Sequence, residues 1–484
     1  MHLNLIKEEH RTLVWLGIII LAGVLLRFYN LASQSLWYDE SATYVIASSG
    51  IEGAWNAMAS GGEFNPPLFY WLEYIVTQTL GATNLTLRLI PFIAGVLAVP
   101  AIYLLGEEMV DKRLGLVAAL FMAISPWAIS YSQEARAYSL AVLFYIITLI
   151  YFFRMMHSRR GGNFFGLFAA LTVWTHFFSI IFVGPLIFAL FLNGLLTRCS
   201  NDRTLAQSVL ATILMLPLLP AFYSMMTTYT ESGIGALLVA EESGIPGLGY
   251  FNIFYALSGY NPMTMVFVVV AIAVSLYLYA TTDIACCDID GHCTTEYPYP
   301  PYFLYAFFTP IIISVFLYYS GYIAVMPRYM SCLHPLLMIF LAIMSLSFLN
   351  RKGEKYITFV AIFMIVLMSA LSLGLFYIVP VKPAWEDGAD YLRSVDHPGD
   401  NILIISGHYS WHPFRFYYDN ATEGTYIYGA TNYEGFLNHT DSKYFILSEG
   451  EMRWIDPTNQ TYAWLDSHNT TMRQFYGYGI YTKV

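Results

Sequence analysis

Residues 12–29 read TLVWLGIIILAGVLLRFY, an apolar run that is long enough to cross a bilayer and carries a single arginine near its end. A transmembrane helix needs about 20 predominantly apolar residues, so the run predicts one membrane span. No small-residue cleavage site of the kind that follows a signal peptide is evident after it. We therefore expect the run to remain in the protein as an anchor.

Further apolar runs follow along most of the chain. We predict about eleven spans in total, at 12–29, 87–106, 114–131, 138–156, 164–178, 179–196, 205–225, 263–282, 301–320, 329–349 and 356–379. The stretch 67–80 is also apolar, but its roughly 14 residues and internal Glu73 predict an interfacial helix rather than a span. The predicted fold class is a polytopic α-helical membrane protein.

The composition supports this class and argues against others. Of the 484 residues, 57% are hydrophobic and only 12% are charged. A soluble domain usually carries about 25% charged residues. The net charge of −10 argues against a nucleic-acid partner, and five cysteines in a chain of this length do not form a disulfide framework.

The distribution of lysine and arginine between the loops predicts the orientation. With the N terminus in the cytoplasm, the inside loops contain clustered basic residues, namely Lys7, Arg11, Lys112, Arg113, Arg159, Arg160, Arg198, Arg203, Arg351, Lys352 and Lys355. The outside loops then hold mostly isolated arginines, although the inside loop 283–300 is acidic and breaks the pattern. We expect a multi-pass protein of the plasma membrane with its C terminus outside.

The composition changes after residue 382. The segment 383–484 is rich in Tyr, Asn, Asp, Gly and Thr, and two short apolar runs predict strands at 401–406 and 443–448. We predict a transmembrane domain at 1–382, with its first outside loop at 30–86, and a small extracytoplasmic α/β domain at 383–484. Asn-x-Thr sequons agree with an outside location and begin at Asn84, Asn420, Asn438, Asn459 and Asn469.

Two adjacent carboxylates, Asp39 and Glu40, lie early in the first outside loop, in the stretch 36–41 (LWYDES). Ionised side chains near membrane depth are costly and tend to be functional. A solvated acidic loop is the alternative for this stretch alone. The stretch 65–68 (NPPL) has a backbone fixed by two prolines, which on its own predicts a structural role.

Isolated cations fall on the same predicted face. Arg136 lies in the stretch 132–138 (SQEARAY), and Arg328 lies in 327–329 (PRY). A guanidinium group can bind a phosphate through two parallel hydrogen bonds. Arg88, at the outer start of a span, fits the same role or that of a snorkelling anchor. An interfacial anchor is the alternative for each arginine taken singly.

Other residues that are able to bind ligands give weaker signals. His176 falls on the outer side, where a hydrogen-bonded structural histidine is the alternative. Four residues of metal-ligating types cluster in one loop, but their spacing fits no standard zinc pattern: Cys286, Cys287, His292 and Cys293. The sequence contains no Walker loop and no dinucleotide fingerprint.

The combination of two carboxylates with two or three arginines suits sugar transfer from a lipid phosphate. One carboxylate can accept the proton that an acceptor hydroxyl loses as it attacks the anomeric carbon. The phosphate leaves as a stable anion, so it needs cations rather than a general acid. A glycosidase would instead use a carboxylic acid to protonate its leaving oxygen.

At these residues the chain resembles the membrane-embedded glycosyltransferases of the GT-C superfamily. Within it, the chain is similar to the family-39-like group, which includes dolichyl-phosphate-mannose protein mannosyltransferases and lipid A aminoarabinose transferases. The resemblance covers about residues 12–350 and rests on the order and spacing of loose motifs, at 27–41 (RFYNLASQSLWYDES), 65–68, 87–91 (LRLIP), 125–126 with 131–138, and 327–329. The stretch 385–391 also resembles the start of the outside domain in many relatives.

The resemblance implies an inverting transfer from a polyprenyl- or dolichyl-phosphate sugar to a glycan, lipid or protein acceptor. It implies that Asp39 is the base, with Glu40 beside it, and that Arg136 and Arg328 engage the donor phosphate. On the charge argument we add Arg88 to the phosphate site. Further candidates for substrate contacts are Trp37, Tyr38, Asn65, Glu134, Tyr138, His176 and Tyr329. Relatives carry a histidine more often than an asparagine at the position of Asn65, which argues against a catalytic role for it.

We predict no cofactor and no metal ligands, and leave a divalent metal open. The oligosaccharyltransferase branch of the superfamily requires such a metal, but its Trp-Trp-Asp motif is absent from this sequence, which disfavours that activity. The alternative class is a transporter or flippase of a lipid-linked or polar substrate, in which intramembrane charges line a path. Inverted repeats would favour transport, and none is visible. The expected partners are the lipid-linked donor, the acceptor and membrane lipids.

Overall fold

The computed structural model describes residues 2–63, 65–157, 162–196, 203–232, 251–259, 301–320, 325–346, 355–406, 411–418 and 425–483, with the single positions 262, 265, 266 and 269. The chain forms two compact units. The first unit consists of Met1–Tyr29, Ile51–Leu72 and Leu89–Leu375. The second consists of Asn30–Gly50, Glu73–Arg88 and Phe376–Val484.

From the N terminus to residue 378, all of the described regular elements are helical. In chain order they are α1 (His2–Phe28), α2 (Tyr38–Ser48), α3 (Gly50–Ala59), α4 (Leu68–Leu80), α5 (Asn84–Leu87), α6 (Leu89–Met109), α7 (Lys112–Ile124), α8 (Pro126–Ser132), α9 (Tyr138–His157), α10 (Phe165–Thr175), α11 (Ile180–Leu196), α12 (Arg203–Met215), α13 (Leu219–Ser232), α14 (Asn252–Leu257), α15 (Pro301–Ser320), α16 (Leu333–Leu346) and α17 (Lys355–Ile378). Short 3₁₀ turns lie at Phe177–Ser179, Leu216–Leu218 and Pro327–Met330.

Seven helical stretches in the described part of the chain are long and apolar enough to cross a bilayer, or eight if the bent pair α7 and α8 is one span. The chain is thus a multi-pass membrane protein, and the predicted fold class is confirmed. The seven stretches correspond to the predicted spans 12–29, 87–106, 138–156, 179–196, 205–225, 301–320 and 356–379.

The other predicted spans differ from the structure in detail. The span 114–131 is broken between α7 and α8, which meet at an angle of 59°. The break is at Ser125, because Pro126 disfavours a helical conformation in the residue before it. Spans 164–178 and 329–349 correspond to the shorter helices α10 and α16, and span 263–282 lies almost entirely outside the described residues.

A buried arginine in the first unit connects α1 to this bent pair. Arg27 lies in the last turn of α1 and is fully buried. Its guanidinium donates to the carbonyl oxygens of Met122 and Ala123, both at 2.9 Å, and to Ser132 Oγ at 3.2 Å. Because the last carbonyls of a helix have no intrahelical partner, Arg27 satisfies groups that the bend leaves open. The apolar run 12–29 does not by itself predict which groups Arg27 contacts.

In the second unit, a five-stranded mixed sheet carries helices on both faces. Its strands are β1 (Asn401–Ile405), β2 (Tyr426–Ala430), β3 (Tyr444–Ser448), β4 (Thr470–Phe475) and β5 (Tyr478–Lys483), in the order β2-β1-β3-β5-β4. Strand β1 pairs in parallel with β2 and β3, whereas β5 pairs antiparallel with β3 and β4. The helices are α18 (Trp385–Val395), α19 (Trp411–Tyr418), α20 (Tyr433–Leu437), α21 (Glu449–Ile455) and α22 (Gln460–Ser467).

The two strands that the sequence predicts are β1 and β3, adjacent strands in the interior of the sheet. Successive side chains of a strand point to opposite faces. Ile402 and Ile404 therefore pack with α18 and α19 on one face, while Leu403 and Ile405 pack with α20, α21 and α22 on the other. A strand buried on both faces reads as a continuous apolar run. The edge strand β4 is mostly exposed and has no such signature.

Candidate functional site

In the second unit, Asp39 and Glu40 occupy the first turn of α2. Trp37 is the N-cap residue, so Asp39 is the second and Glu40 the third residue of the helix. The N–H groups at a helix N terminus favour negative charge there. Asp39 is half-buried, whereas Glu40 is completely buried. The two adjacent carboxylates therefore differ in exposure, since Glu40 is buried and Asp39 keeps exposed surface.

Two cations hold Glu40. The Nε and Nη2 atoms of Arg88 donate to its two carboxylate oxygens at 2.7 and 2.9 Å. Lys382 Nζ and the backbone N–H of Trp37 donate to Oε2 at 2.9 and 3.2 Å. Burial acts to raise the Glu40 pKa, but the charges of Arg88 and Lys382 outweigh it and lower the pKa to about 2. Glu40 therefore stays ionised, and we propose that it positions the first turn of α2 beside Asp39.

The contacts of Arg88 differ from the predicted binding of the donor phosphate, and we propose a structural role for this residue. Its side chain is buried, and its hydrogen bonds go to Glu40 and to the carbonyl oxygens of Leu31, Gln34 and Ser35. An arginine has five N–H groups, and these contacts use all five. The position of Arg88 at the start of a span does not reveal this, because its partners lie about fifty residues earlier in the chain.

Glu73 is a second buried carboxyl group of this unit, in the interior of α4. Among the described residues, neither of its side-chain oxygens has a hydrogen-bond partner. Burial raises the pKa of Glu73 well above its usual value, and the negative charge of Glu40 raises it further. The folded protein therefore favours the protonated, neutral form of Glu73.

In the first unit, three segments meet around the ring of His176. The rings of Tyr138 and Tyr329 lie 5.3 and 5.7 Å from the His176 ring, measured between centroids. Arg136 and Arg328 both act on His176 electrostatically, so the two guanidinium groups share one neighbourhood. The structure thus brings together four residues of the predicted site around His176.

Both arginines of this cluster keep exposed surface. Arg136 and Arg328 are half-buried, and the Arg328 guanidinium lies 5.9 Å from the centre of the Tyr329 ring. The backbone N–H of Arg136 donates to the carbonyl oxygen of the buried Glu134 at 2.7 Å, which closes a tight turn. A partly desolvated cation attracts an anion more strongly than one in bulk water. The cluster thus carries two partly exposed cations.

A buried hydrogen bond links the two segments that carry these arginines. Ser125 Oγ and His334 Nε2 lie 2.8 Å apart, and Trp127 stacks on the His334 ring at 4.8 Å. Ser125 begins α8, which leads to Arg136, whereas His334 follows the 3₁₀ turn that contains Arg328. No motif predicts this pair, because its members are 209 positions apart.

Residues 65–223 match the family described as dolichyl-phosphate-mannose-protein mannosyltransferase. Two structures of ArnT from Cupriavidus metallidurans resemble the whole chain. The apo form has a TM-score of 0.56 at 12% identity and covers 98% of both chains. The form bound to undecaprenyl phosphate has a TM-score of 0.58 at 13% identity and covers 97% of this chain and 98% of that one.

The oligosaccharyltransferase from Archaeoglobus fulgidus, in complex with Zn and sulfate, has a TM-score of 0.51 at 14% identity. The alignment covers 97% of this chain and 73% of that one. The protein has the GT-C fold. The predicted resemblance to the GT-C superfamily is thereby confirmed, while a search of curated protein sequences finds no match.

The stretch 65–68 has contacts that suit a structural role. The Asn65 side chain donates to Glu63 Oε1 at 2.7 Å, and both side chains hydrogen-bond to Tyr70. Burial raises the pKa of Tyr70, and the charge of Glu63 raises it further, so Tyr70 remains a hydrogen-bond donor. These contacts order the turn before α4, which agrees with the two prolines.

The described residues contain no group of three or more His, Cys, Asp or Glu side chains arranged to hold a metal ion. The cysteine and histidine cluster of the sequence lies outside the described residues, as do most of loop 226–262, loop 283–300 and the sequon at Asn420.

Glu73→Gln tests the neutral form of the buried carboxyl. Because the folded state binds the Glu73 proton more tightly than the unfolded chain does, the wild type loses stability as pH rises above 4.5, the ordinary pKa of the group. The loss is about 1.4 kcal/mol per pH unit up to the raised pKa. The glutamine variant lacks this loss. The difference in melting temperature, variant minus wild type, should therefore be larger at pH 8 than at pH 5. Glu52→Gln, at an exposed position of α3, is the control, and a Glu73→Gln difference that does not change with pH would contradict the prediction.

Proposed function

We propose that the protein transfers a sugar from a polyprenyl- or dolichyl-phosphate donor to an acceptor hydroxyl by a single, inverting displacement. The observation that carries the proposal is the contrast between two adjacent carboxylates. Glu40 is buried and paired with Arg88 and Lys382, while Asp39 stays half-buried on the first turn of the same helix. One carboxylate is fixed by the fold, and its neighbour is accessible for proton transfer.

In the proposed reaction, the acceptor oxygen attacks the anomeric carbon and the bond from that carbon to the phosphate oxygen breaks. Asp39 accepts the proton of the acceptor hydroxyl, since a positioned carboxylate is a common general base. The leaving polyprenyl phosphate gains negative charge. Arg136 and Arg328 stabilise that charge, because fixed cations in a partly desolvated site are effective at developing anions.

The comparisons support a lipid-phosphate donor. One of the similar structures is ArnT bound to undecaprenyl phosphate, and the matching family is described as dolichyl-phosphate-mannose-protein mannosyltransferase. One structure of the Archaeoglobus fulgidus oligosaccharyltransferase carries a tethered acceptor peptide. Glycan, lipid and protein acceptors all remain within the proposal, since they share an attacking nucleophile.

We place the reaction on the outer face of the plasma membrane, with the N terminus in the cytoplasm. The support is the concentration of lysine and arginine in alternate loops of the sequence. The transporter alternative has no comparable support, because the matching family and the similar solved structures reported above are transferases.

Asp39→Asn should abolish most of the transfer while leaving donor binding intact. Asparagine keeps the shape of the side chain but cannot accept the proton, so turnover should fall about 10²- to 10⁴-fold. The assay supplies a panel of polyprenyl-phosphate sugars with isolated membranes as the acceptor source, and mass spectrometry measures the polyprenyl phosphate released. Asp390→Asn replaces an exposed aspartate of α18 and is the matched control. Wild-type turnover of Asp39→Asn would show that Asp39 is not the base.

Arg136→Ala and Arg328→Ala should each weaken the binding of undecaprenyl phosphate. Loss of a charge-assisted hydrogen bond costs about 1.5–3 kcal/mol, which corresponds to about a 10- to 150-fold weaker affinity. Lysine at either position should restore part of the affinity, since a point charge does not reproduce the planar fork. Native mass spectrometry of the protein in nanodiscs measures the binding.

The control for these variants is Arg154→Ala, which breaks the pair of Arg154 with Glu108 at 2.9 Å in the same unit. Unchanged affinity in both the Arg136 and Arg328 alanine variants would reject the phosphate-binding role.

A further inference from the structure

A hydrogen-bonded cluster connects residues 34–36, just before α2, to the chain that leads into the C-terminal sheet. All of its members belong to the second unit. Gln34 Oε1 accepts the backbone N–H groups of Val381 and Lys382, both at 3.3 Å. Ser35 Oγ accepts the backbone N–H of Glu386 at 3.1 Å. Residues 34 and 35, which lead into α2, are therefore hydrogen-bonded to the segment between α17 and α18 and to the first turn of α18.

Helix α19 extends the same cluster. Tyr417 Oη accepts the backbone N–H of Leu36 at 2.6 Å and donates to Asn84 Oδ1 at 2.6 Å. Asn84 Nδ2 in turn donates to Glu386 Oε2 at 3.0 Å. Residues 34, 35 and 36 each bond to the C-terminal part of the chain, so the N-cap Trp37 follows a stretch with little freedom to move.

Helix α2 itself also packs on this part of the chain. The rings of Tyr44 and Phe416 meet edge to face, with centroids 5.0 Å apart. Edge-to-face aromatic pairs add about 0.5–1.5 kcal/mol beyond the area that they bury. The contacts of α2 with α19 thus continue past its first turn.

Lys382 adds an ion pair with Glu40 to this cluster. Its ammonium group bonds to Glu40 Oε2 at 2.9 Å, and its side chain is only 14% exposed. With Arg88, it places two cations on one buried carboxylate. Removing one partner from a buried pair is strongly unfavourable, because the remaining charge loses its compensation. Glu40 adjoins Asp39 on the same helical turn, so any shift of Glu40 moves Asp39 as well.

We propose that Lys382 is a positioning residue for the transfer reaction. It binds Glu40, and through Glu40 it fixes the first turn of α2 that carries Asp39. The C-terminal sheet domain, which follows directly after Lys382, is then part of the scaffold of the catalytic base. This inference rests on the proposed function of Asp39.

The test compares Lys382→Met, Lys382→Arg and Lys443→Met in the full-length protein in nanodiscs. Lys443 pairs with Asp400 at 2.8 Å in the same unit, outside the Glu40 cluster, and serves as the matched control. Two quantities are measured. One is hydrogen–deuterium exchange of the amides at 41–44, where Ser41 donates to Trp37 at 3.0 Å. The other is turnover, with KM, on the polyprenyl-phosphate sugar panel.

Lys382→Met should speed exchange at 41–44 by about tenfold, because the first turn opens more easily. It should lower kcat by roughly 10- to 100-fold with little change in KM for the donor, since small displacements of a catalytic group have effects of this size. Lys382→Arg should restore both quantities to within about twofold of wild type, because the charge is kept. Lys443→Met should leave both unchanged.

Wild-type exchange and kcat in Lys382→Met would overturn the proposal, as would an arginine variant that is as impaired as the methionine variant. If Lys382→Met does not fold, Gln34→Ala removes the backbone link without removing a charge. Faster exchange at 41–44 in that variant would support the proposal, and unchanged exchange would overturn it. If even the wild type releases no polyprenyl phosphate, the proposed function fails, whereas the exchange comparison still decides the positioning role.

Discussion

The buried ion pair between Glu40 and Arg88 determines the geometry of the second unit. Taking a carboxylate and a guanidinium out of water costs several kcal/mol per ion, and the mutual attraction offsets this only with good geometry and further hydrogen bonds. Both conditions hold, because Arg88 contacts both carboxylate oxygens and three backbone carbonyls, and Lys382 adds a second cation. The cost of burial makes this arrangement specific, since few alternative positions of α2 and of the residues before it satisfy the same charges.

The first unit uses buried polar contacts in a comparable way. In an apolar surrounding, every backbone group without a partner is costly, so a broken helix needs other groups to satisfy it. Arg27 supplies donors to the end of α7, and the contact between Ser125 and His334 links α8 to the start of α16. These contacts hold the segments that carry Arg136 and Arg328. The positions of Arg136 and Arg328 thus depend on residues that have no contact with substrate in the proposed mechanism.

Much of the fold is determined by local stretches of sequence and can therefore be predicted from them. The long apolar runs and the strands β1 and β3 are determined by burial of a continuous stretch, which is visible in the residues themselves. The roles of Arg88 and Lys382 are not local, since their partner Glu40 is 48 and 342 positions away. An isolated arginine at the start of a span looks the same in the sequence whether it faces solvent or a buried carboxylate. The predicted spans place Arg136, Arg328, Tyr138, His176 and Tyr329 on one predicted face, whereas the contact between Ser125 and His334 required the structure.

The anomeric configuration of the product tests the central claim most directly. A single displacement with Asp39 as the base predicts that the sugar in the product has the opposite configuration to the sugar in the donor. Nuclear magnetic resonance of the product formed from a polyprenyl-phosphate sugar of known configuration gives the answer. Inversion is the expected result. Retention would contradict the claim, because a single displacement from the face opposite the leaving phosphate inverts the configuration of the anomeric carbon.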